Sequence, residues 1–374
     1  MSGRHYLDHA STSPIRPEAL EAVVRCLRGP TGDPGRVHTE GMTARAAVEE
    51  AREQVAVLLG ARPREVVFTS GATESIAAAC WGAAERGAHQ VVPRVEHSAV
   101  REAAGRSGDV TLVSVDAYGR VDVDALVRAV RPDTALVHIQ WGNHEVGTVQ
   151  PVAEVVAACR ERGVLVHVDA AQAAGHVPID FGALGADLLS VSGHKMGAAP
   201  GAGVLVVRRG LRLRPLLVGG DQERARRAGM EPVPAVAGLG AVAGALAAGD
   251  RLATEAAEAR RLTDRVLAGV RAVPGVRVHG DPEARLPQLV CLGVDGVEPQ
   301  AVLLGLDRAG VAVHSGSACS SEALEPSPVL EAMGVDALRS LRVSVGWSTT
   351  DADVDAFLTA LPDVLGGLRA LADR

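Results

Sequence analysis

Lysine is almost missing from this 374-residue chain: of 38 basic side chains, all but Lys195 are arginine. Lysine is normally among the commonest residues, and a GC-rich coding bias would replace it wherever arginine serves as well. A lysine that survives such replacement marks chemistry closed to arginine. Arginine stays protonated and is no amine nucleophile. Lysine loses its proton when desolvated or set beside cations, and its free amine forms imines with carbonyls. Lys195 therefore reads as a Schiff-base lysine. The plain alternative, a leftover surface lysine, is opposed by the sequence around it.

Other shortages narrow the class. Aromatic residues are 2% of the chain, the net charge is −7 and no basic stripe is present, so direct nucleic-acid binding is not expected. The longest small-apolar stretch, 235–249, is shorter than the roughly 20 residues needed to span a bilayer. No membrane partner is expected, and the stretch reads as a buried helix at a subunit contact. The N-terminus, MSGRHYLDHAS, lacks the apolar core of a secretory signal, which points to a cytoplasmic protein. Five cysteines, an odd number without close pairs, point to a reducing compartment and free thiols. His5 and His9 stand four apart in a segment that reads as extended, so no metal site is expected. Gly238-Leu239-Gly240 with Gly244 lacks the spacing and the preceding strand of a dinucleotide fingerprint, and reads as helix packing.

What is present suits a folded α/β protein, with 47% hydrophobic and 22% charged residues. Short β-branched runs at 66–69, 90–93, 110–115, 135–140, 164–168, 188–192 and 203–207 alternate with helical stretches at 17–27, 44–59, 73–86, 123–130 and 152–162. Mostly continuous apolar strands joined by helices predict a mixed, mostly parallel sheet covered on both faces. After about residue 250 the pattern changes to an amphipathic stretch at 251–272, short runs at 276–279, 289–292, 311–314 and 342–346, a helix near 299–309 and a closing helix. Two domains are expected: a large α/β domain over 15–250, and a smaller α+β domain from 1–14 plus 251–374.

Ligands of open α/β sheets sit beyond the carboxyl ends of the strands. Three predicted strand ends carry polar residues: Ser70-Gly71-Ala72-Thr73, Asp169-Ala170-Ala171-Gln172 and Gly193-His194-Lys195. Together they match the needs of a phosphorylated pyridine aldehyde. Lys195 supplies the amine. Asp169 supplies a carboxylate for the ring nitrogen, with a helix N-cap or turn residue as its alternative. The start of a helix at Gly71-Ala72-Thr73 offers N–H groups and a dipole to the phosphate, with Ser192 and His194 as further donors. Of the cysteines, Cys26, Cys80, Cys159 and Cys291 fall in helical or apolar stretches and read as core thiols. Cys319 alone lies in a Gly/Ser-rich polar stretch, suited to a thiol that must be reached. A buried structural cysteine at a turn is its alternative.

The motifs TSGATES at 69–75, EHSAV at 96–100, NHEVGTVQP at 143–151, HVDAAQ at 167–172, SGHK at 192–195 and SGSACSSEALEPSPVL at 315–330 run in order along nearly the whole chain. In these the sequence resembles the cysteine desulfurases, pyridoxal-phosphate enzymes of the class V aminotransferase group. The resemblance implies the fold-type I PLP-dependent transferase architecture, with the catalytic cysteine carried by the smaller domain. It implies pyridoxal 5'-phosphate as cofactor, L-cysteine as substrate, a homodimer, and a sulfur-acceptor protein or small molecule as partner. It also implies residue roles. Lys195 would hold the cofactor and shuttle protons, Asp169 would pair with the ring nitrogen, and Gln172 would bond the ring oxygen. His97 would stack on the ring, while Ala72, Thr73, Ser192 and His194 would hold the phosphate. Arg342, with Asn143, would bind the substrate, the arginine fork suiting a carboxylate. Cys319 would receive the sulfur as a persulfide.

The chain departs from the family pattern in places. His144 stands where a second asparagine usually bonds the ring oxygen. Met230 stands where a threonine often reaches the partner subunit's phosphate, and Ile76 where a polar residue is common. Two other readings follow from the same residues: a C–S lyase acting on another sulfur amino acid without a persulfide, and a non-catalytic sulfur-transfer scaffold.

Overall fold

The computed structural model describes residues 3–30, 32–315 and 326–372. Its strands, in chain order, are β1 (His5–Tyr6), β2 (Val66–Thr69), β3 (His89–Pro93), β4 (Asp109–Val113), β5 (Thr134–Gln140), β6 (Leu165–Asp169), β7 (Leu188–Ser192) and β8 (Gly203–Val207), followed by β9 (Val276–His279), β10 (Leu289–Val294), β11 (Val311–Ala312) and β12 (Ser340–Ser344). Seven of these form one sheet in the order β2-β8-β7-β6-β5-β3-β4. Only β8 runs against its neighbours; the remaining pairs are parallel. The mixed, mostly parallel sheet expected from the apolar runs is what forms, because strands without polar alternation need cover on both faces.

That cover comes from the helices. On one face, helices Pro17–Arg28, Thr39–Leu58 and Val233–Ala247 pack together over the main core. The predicted stretch at 235–249 forms a largely buried helix up to Ala247, with 248 and 249 exposed beyond it, and its glycines let backbones touch. A Cβ on Gly240 would lie 2.4 Å from the Ala51 Cα, and one on Gly238 would lie 2.9 Å from Val23. On the opposite face, helices Ala72–Ala83 and Ser98–Ser107 close smaller apolar clusters. Strand β2 ends the sheet, yet its outer edge is not left bare. Arg52 donates to the Val66 carbonyl (2.9 Å), and the Phe68 N–H donates to Glu223 (2.8 Å). Arg52 and Glu223 pair with each other at 2.7 Å, both buried. An ion pair thus completes the edge as a further strand would.

The later part of the chain forms an antiparallel sheet, β12-β10-β9, and a parallel pair, β1-β11. Leu262, Val266, Phe357 and Leu361 fill the core beneath them, and Leu7 of the N-terminal segment joins that core. The run at 311–314 pairs for only two residues, because His314 turns to exchange backbone hydrogen bonds with Arg342. Cys80, Cys159 and Cys291 are core thiols; Cys26 is a correction, since it is half-buried on its helix. Among the described residues no single helix is long and apolar enough to cross a membrane.

Candidate active site

Four strand ends meet at one end of the large sheet. Thr69, at the end of β2, and Ser192, at the end of β7, both stand in register with Gly203, the first residue of β8. Gly203 has to be glycine: a Cβ there would lie 2.5 Å from the Gly71 Cα. This close approach sets the turn 70–71 against the start of β8, from which the helix Ala72–Ala83 runs back over the sheet. Among the described residues no side chain caps that helix, so the N–H groups of its first turn remain for an anion. Gln140 and Asp169 are register partners at the ends of β5 and β6. Lys195 follows β7 on a single 3-10 turn, His194–Met196, which Gly197 closes at φ +89°.

These elements enclose a cavity of about 510 Å³. It brings together Lys195, Ala72, Thr73, His97, His144, Asp169, Gln172, Ser192, His194 and Arg342. Asn143 is not on its wall. That residue is fully buried, with Oδ1 accepting from the Glu145 and Val146 N–H groups and Nδ2 donating to the Val95 carbonyl. Its place beside the cavity is to shape the turn that carries His144. Cys319 lies outside the described residues. Of the family departures, Ile76 lines the cavity, while Met230 is exposed and away from it.

The electrostatics follow from burial. Asp169 accepts from the Ala171 N–H (2.9 Å), yet burial raises its pKa, against the pull of that bond and of Lys195. Such a carboxylate is short of a cation. His97 accepts from the Ala99 N–H at Nδ1 (3.0 Å), which puts its proton on Nε2. Burial, then the charges of His144, Lys195 and Arg101, hold its pKa down to about 2. His144 is held well below the ordinary value by burial, then by Lys195, Arg342 and Arg101. The two rings meet edge to face, 4.9 Å between centroids. Arg342 is buried and donates to the His144 carbonyl (2.7 Å), Ser11 Oγ (2.7 Å) and Asp8 Oδ1 (3.1 Å).

Three buried polar atoms of the lining residues have no partner among the described residues: His144 Nδ1, Gln172 Oε1 and Arg342 Nε. Buried polar groups are normally paired, so the cavity has the character of a site for a polar molecule. An amine, a cation-seeking carboxylate and an uncapped helix start, in one cavity, fit a phosphorylated pyridine aldehyde. Sequence reading missed several residues that build this arrangement. Asp8 and Ser11 orient Arg342 from the N-terminal segment, and Glu74 ties the turn to the Ser70 N–H while pairing with Arg227. Glu96 accepts from the Gln140 N–H (2.5 Å), and burial pushes its pKa well up. The available signal was an acidic residue inside an otherwise neutral motif, as in EHSAV and NHEVG.

The Aminotransferase class-V family model matches residues 5–357. The chain is 41% identical to a cysteine desulfurase of Trichormus azollae, covering 98% of this chain and 94% of that protein. It is 41% identical to an IscS-like cysteine desulfurase of Mycobacterium tuberculosis, covering 98% of both. Among solved structures, a NifS-like protein superposes with a TM-score of 0.91 at 32% identity, over 98% of this chain and 100% of that one. A protein titled SspA in complex with cysteine superposes with a TM-score of 0.81 at 29% identity, over 92% and 100%. The fold is therefore that of a fold-type I transferase, and the chain belongs to the class V aminotransferase family, as one of its cysteine desulfurases.

Proposed function

We propose that the chain is a pyridoxal-phosphate enzyme that removes sulfur from L-cysteine, leaving L-alanine, and passes it through a Cys319 persulfide to an acceptor. The observation that carries this reading is the convergence of the only lysine with Asp169, an uncapped helix start and Arg342 on one cavity. Pyridoxal phosphate, bound through Lys195, supplies an electron sink for charge released at the substrate Cα. Asp169 would hold the ring nitrogen protonated. The Ala72 and Thr73 N–H groups, with Ser192 and His194, would hold the phosphate; His97 would cover the ring; His144 and Gln172 would face its oxygen.

The side chains divide the remaining work. Arg342 binds the substrate carboxylate while Asp8 and Ser11 keep its fork in place, which fixes the Cα–H toward Lys195. Lys195 Nζ, as a free amine, would take that proton. His97 offers a hydrogen-bond donor at Nε2. The Cys319 thiolate then attacks the substrate sulfur: an S–S bond forms, the Cβ–S bond breaks, and its electron pair stays with carbon. Proton uptake there gives the methyl group of alanine. Lys195→Ala should abolish both alanine formation and the visible absorbance of bound cofactor. Cys319→Ala should stop alanine formation from L-cysteine; undiminished alanine and sulfide from that variant would favour a lyase without a persulfide. The same reading includes a homodimer in the cytoplasm, checked by solution mass and by fractionation.

A further inference from the structure

We propose that Glu145 and His144 act as one coupled pair that takes up a single titratable proton, whose presence decides whether His144 Nδ1 presents an N–H or a lone pair to the cavity. The inference rests on the pyridoxal-phosphate reading of that cavity. Glu145 is buried, and its Oε1 lies 3.5 Å from His144 Nε2. Its other oxygen is already committed. Ser327 Oγ accepts from the Leu330 N–H (3.1 Å), so its hydroxyl proton turns to Glu145 Oε2 at 2.5 Å. A proton held by Glu145 therefore belongs on Oε1, facing His144.

Two neutral-imidazole arrangements follow. When Glu145 is a carboxylic acid, Oε1–H faces a lone pair on Nε2, and the imidazole proton sits on Nδ1. When Glu145 is ionised, the imidazole proton moves to Nε2 to face the carboxylate, and Nδ1 turns a lone pair to the cavity. Nδ1 is buried and has no partner among the described residues, on a side chain that lines the cavity. An anionic ring oxygen needs the N–H form. Asparagine, usual at this position in the family, donates at every pH; the His144–Glu145 pair donates only while it holds the extra proton.

The surroundings put the change in the physiological range. Burial pushes Glu145 up to about 7, against the Ser327 hydrogen bond and the charges of Arg342, Arg101 and His314. Among the described residues the buried Cys291 thiol also lies within electrostatic reach of Glu145. Lys195, Arg342 and Arg101, with burial, keep His144 from becoming an imidazolium, and the His97 ring against it is neutral as well.

Pyridoxamine 5'-phosphate is the suitable probe, because it carries the ring oxygen and phosphate but no aldehyde to react with Lys195. Its affinity for the cofactor-free protein is measured between about pH 6 and pH 8, a window that brackets the Glu145 titration. In the wild type, affinity should fall about tenfold more across that range than in Glu145→Gln, whose amide keeps a donor on His144. His144→Asn should follow the Glu145→Gln profile, and it carries the test if Glu145→Gln does not fold. Equal pH profiles in the wild type and whichever variant folds would overturn the coupled pair. Absence of probe binding at every pH would instead remove the pyridoxal-phosphate reading itself.

Discussion

Two histidine pairs in this molecule have nearly the same geometry and opposite chemistry. His97 and His144 meet at 4.9 Å and 69°, His138 and His167 at 5.1 Å and 71°. The second pair lies wholly in the core, where its nitrogens form one directed chain. The Ser190 hydroxyl donates to His167 Nε2 (2.7 Å), His167 Nδ1 donates to His138 Nδ1 (3.0 Å), and His138 Nε2 donates to Gln90 Oε1 (2.8 Å). Every proton there has one place. In the first pair His97 is fixed by the Ala99 N–H, but His144 Nδ1 has no partner among the described residues. Burial and ring geometry do not separate a structural histidine from a working one; an unassigned proton does.

The sharpest contrast is between His97→Ala and His167→Leu. Losing His97 should lower kcat by about 10²–10⁴-fold, the usual worth of a positioned acid–base group, while the lost cap on the Ala99 N–H costs only about 0.5–2 kcal/mol of stability. Losing His167 leaves the Ser190 hydroxyl and His138 Nδ1 unpaired, at roughly 1–3 kcal/mol each. The midpoint of denaturant unfolding should fall, while kcat of the folded fraction stays near wild type. The comparison breaks if the two variants exchange phenotypes.

Acid titration gives a smaller and broader signal. Burial holds His167 down to about 3, from an ordinary 6.5. The unfolded chain takes up a proton that the folded one refuses, so stability is lost as pH falls from about 6.5 toward about 3, at about 1.4 kcal/mol per pH unit for each such group. His167→Leu should shallow that slope in unfolding measured against pH. An unchanged slope would mean that His167 is not the group refusing the proton. The smallest effect is expected from His144→Asn: kcat within about tenfold of wild type at pH near 6, where an N–H faces the cavity in both proteins. A loss as large as that of His97→Ala would place His144 in the chemistry rather than at the ring oxygen.

The same contrast explains what could be read from the sequence. Strands β2, β7 and β8 were legible to the residue, because an apolar run between turn residues has one physical solution in a covered sheet. Lys195 was legible by rarity, and Asp169 and Thr73 by their place at strand and helix ends. Arg342, one of 37 arginines, was visible only through its motif. The partners that give these residues their chemistry were not visible. Asp8 reaches Arg342 across 334 residues, and Ser327 reaches Glu145 across 182. No local pattern encodes which distant hydroxyl orients a carboxylate. Asn143 shows the converse: its motif suggested substrate contact, while its local fold spends its amide on the turn.

The central claim is a covalent bond between Lys195 and the cofactor. The direct measurement is borohydride reduction of the protein loaded with pyridoxal phosphate, followed by peptide mass spectrometry. The account predicts a reduced pyridoxyl phosphate on the peptide containing Lys195 and on no other. A catalytically active protein whose Lys195 peptide remains unmodified would contradict it.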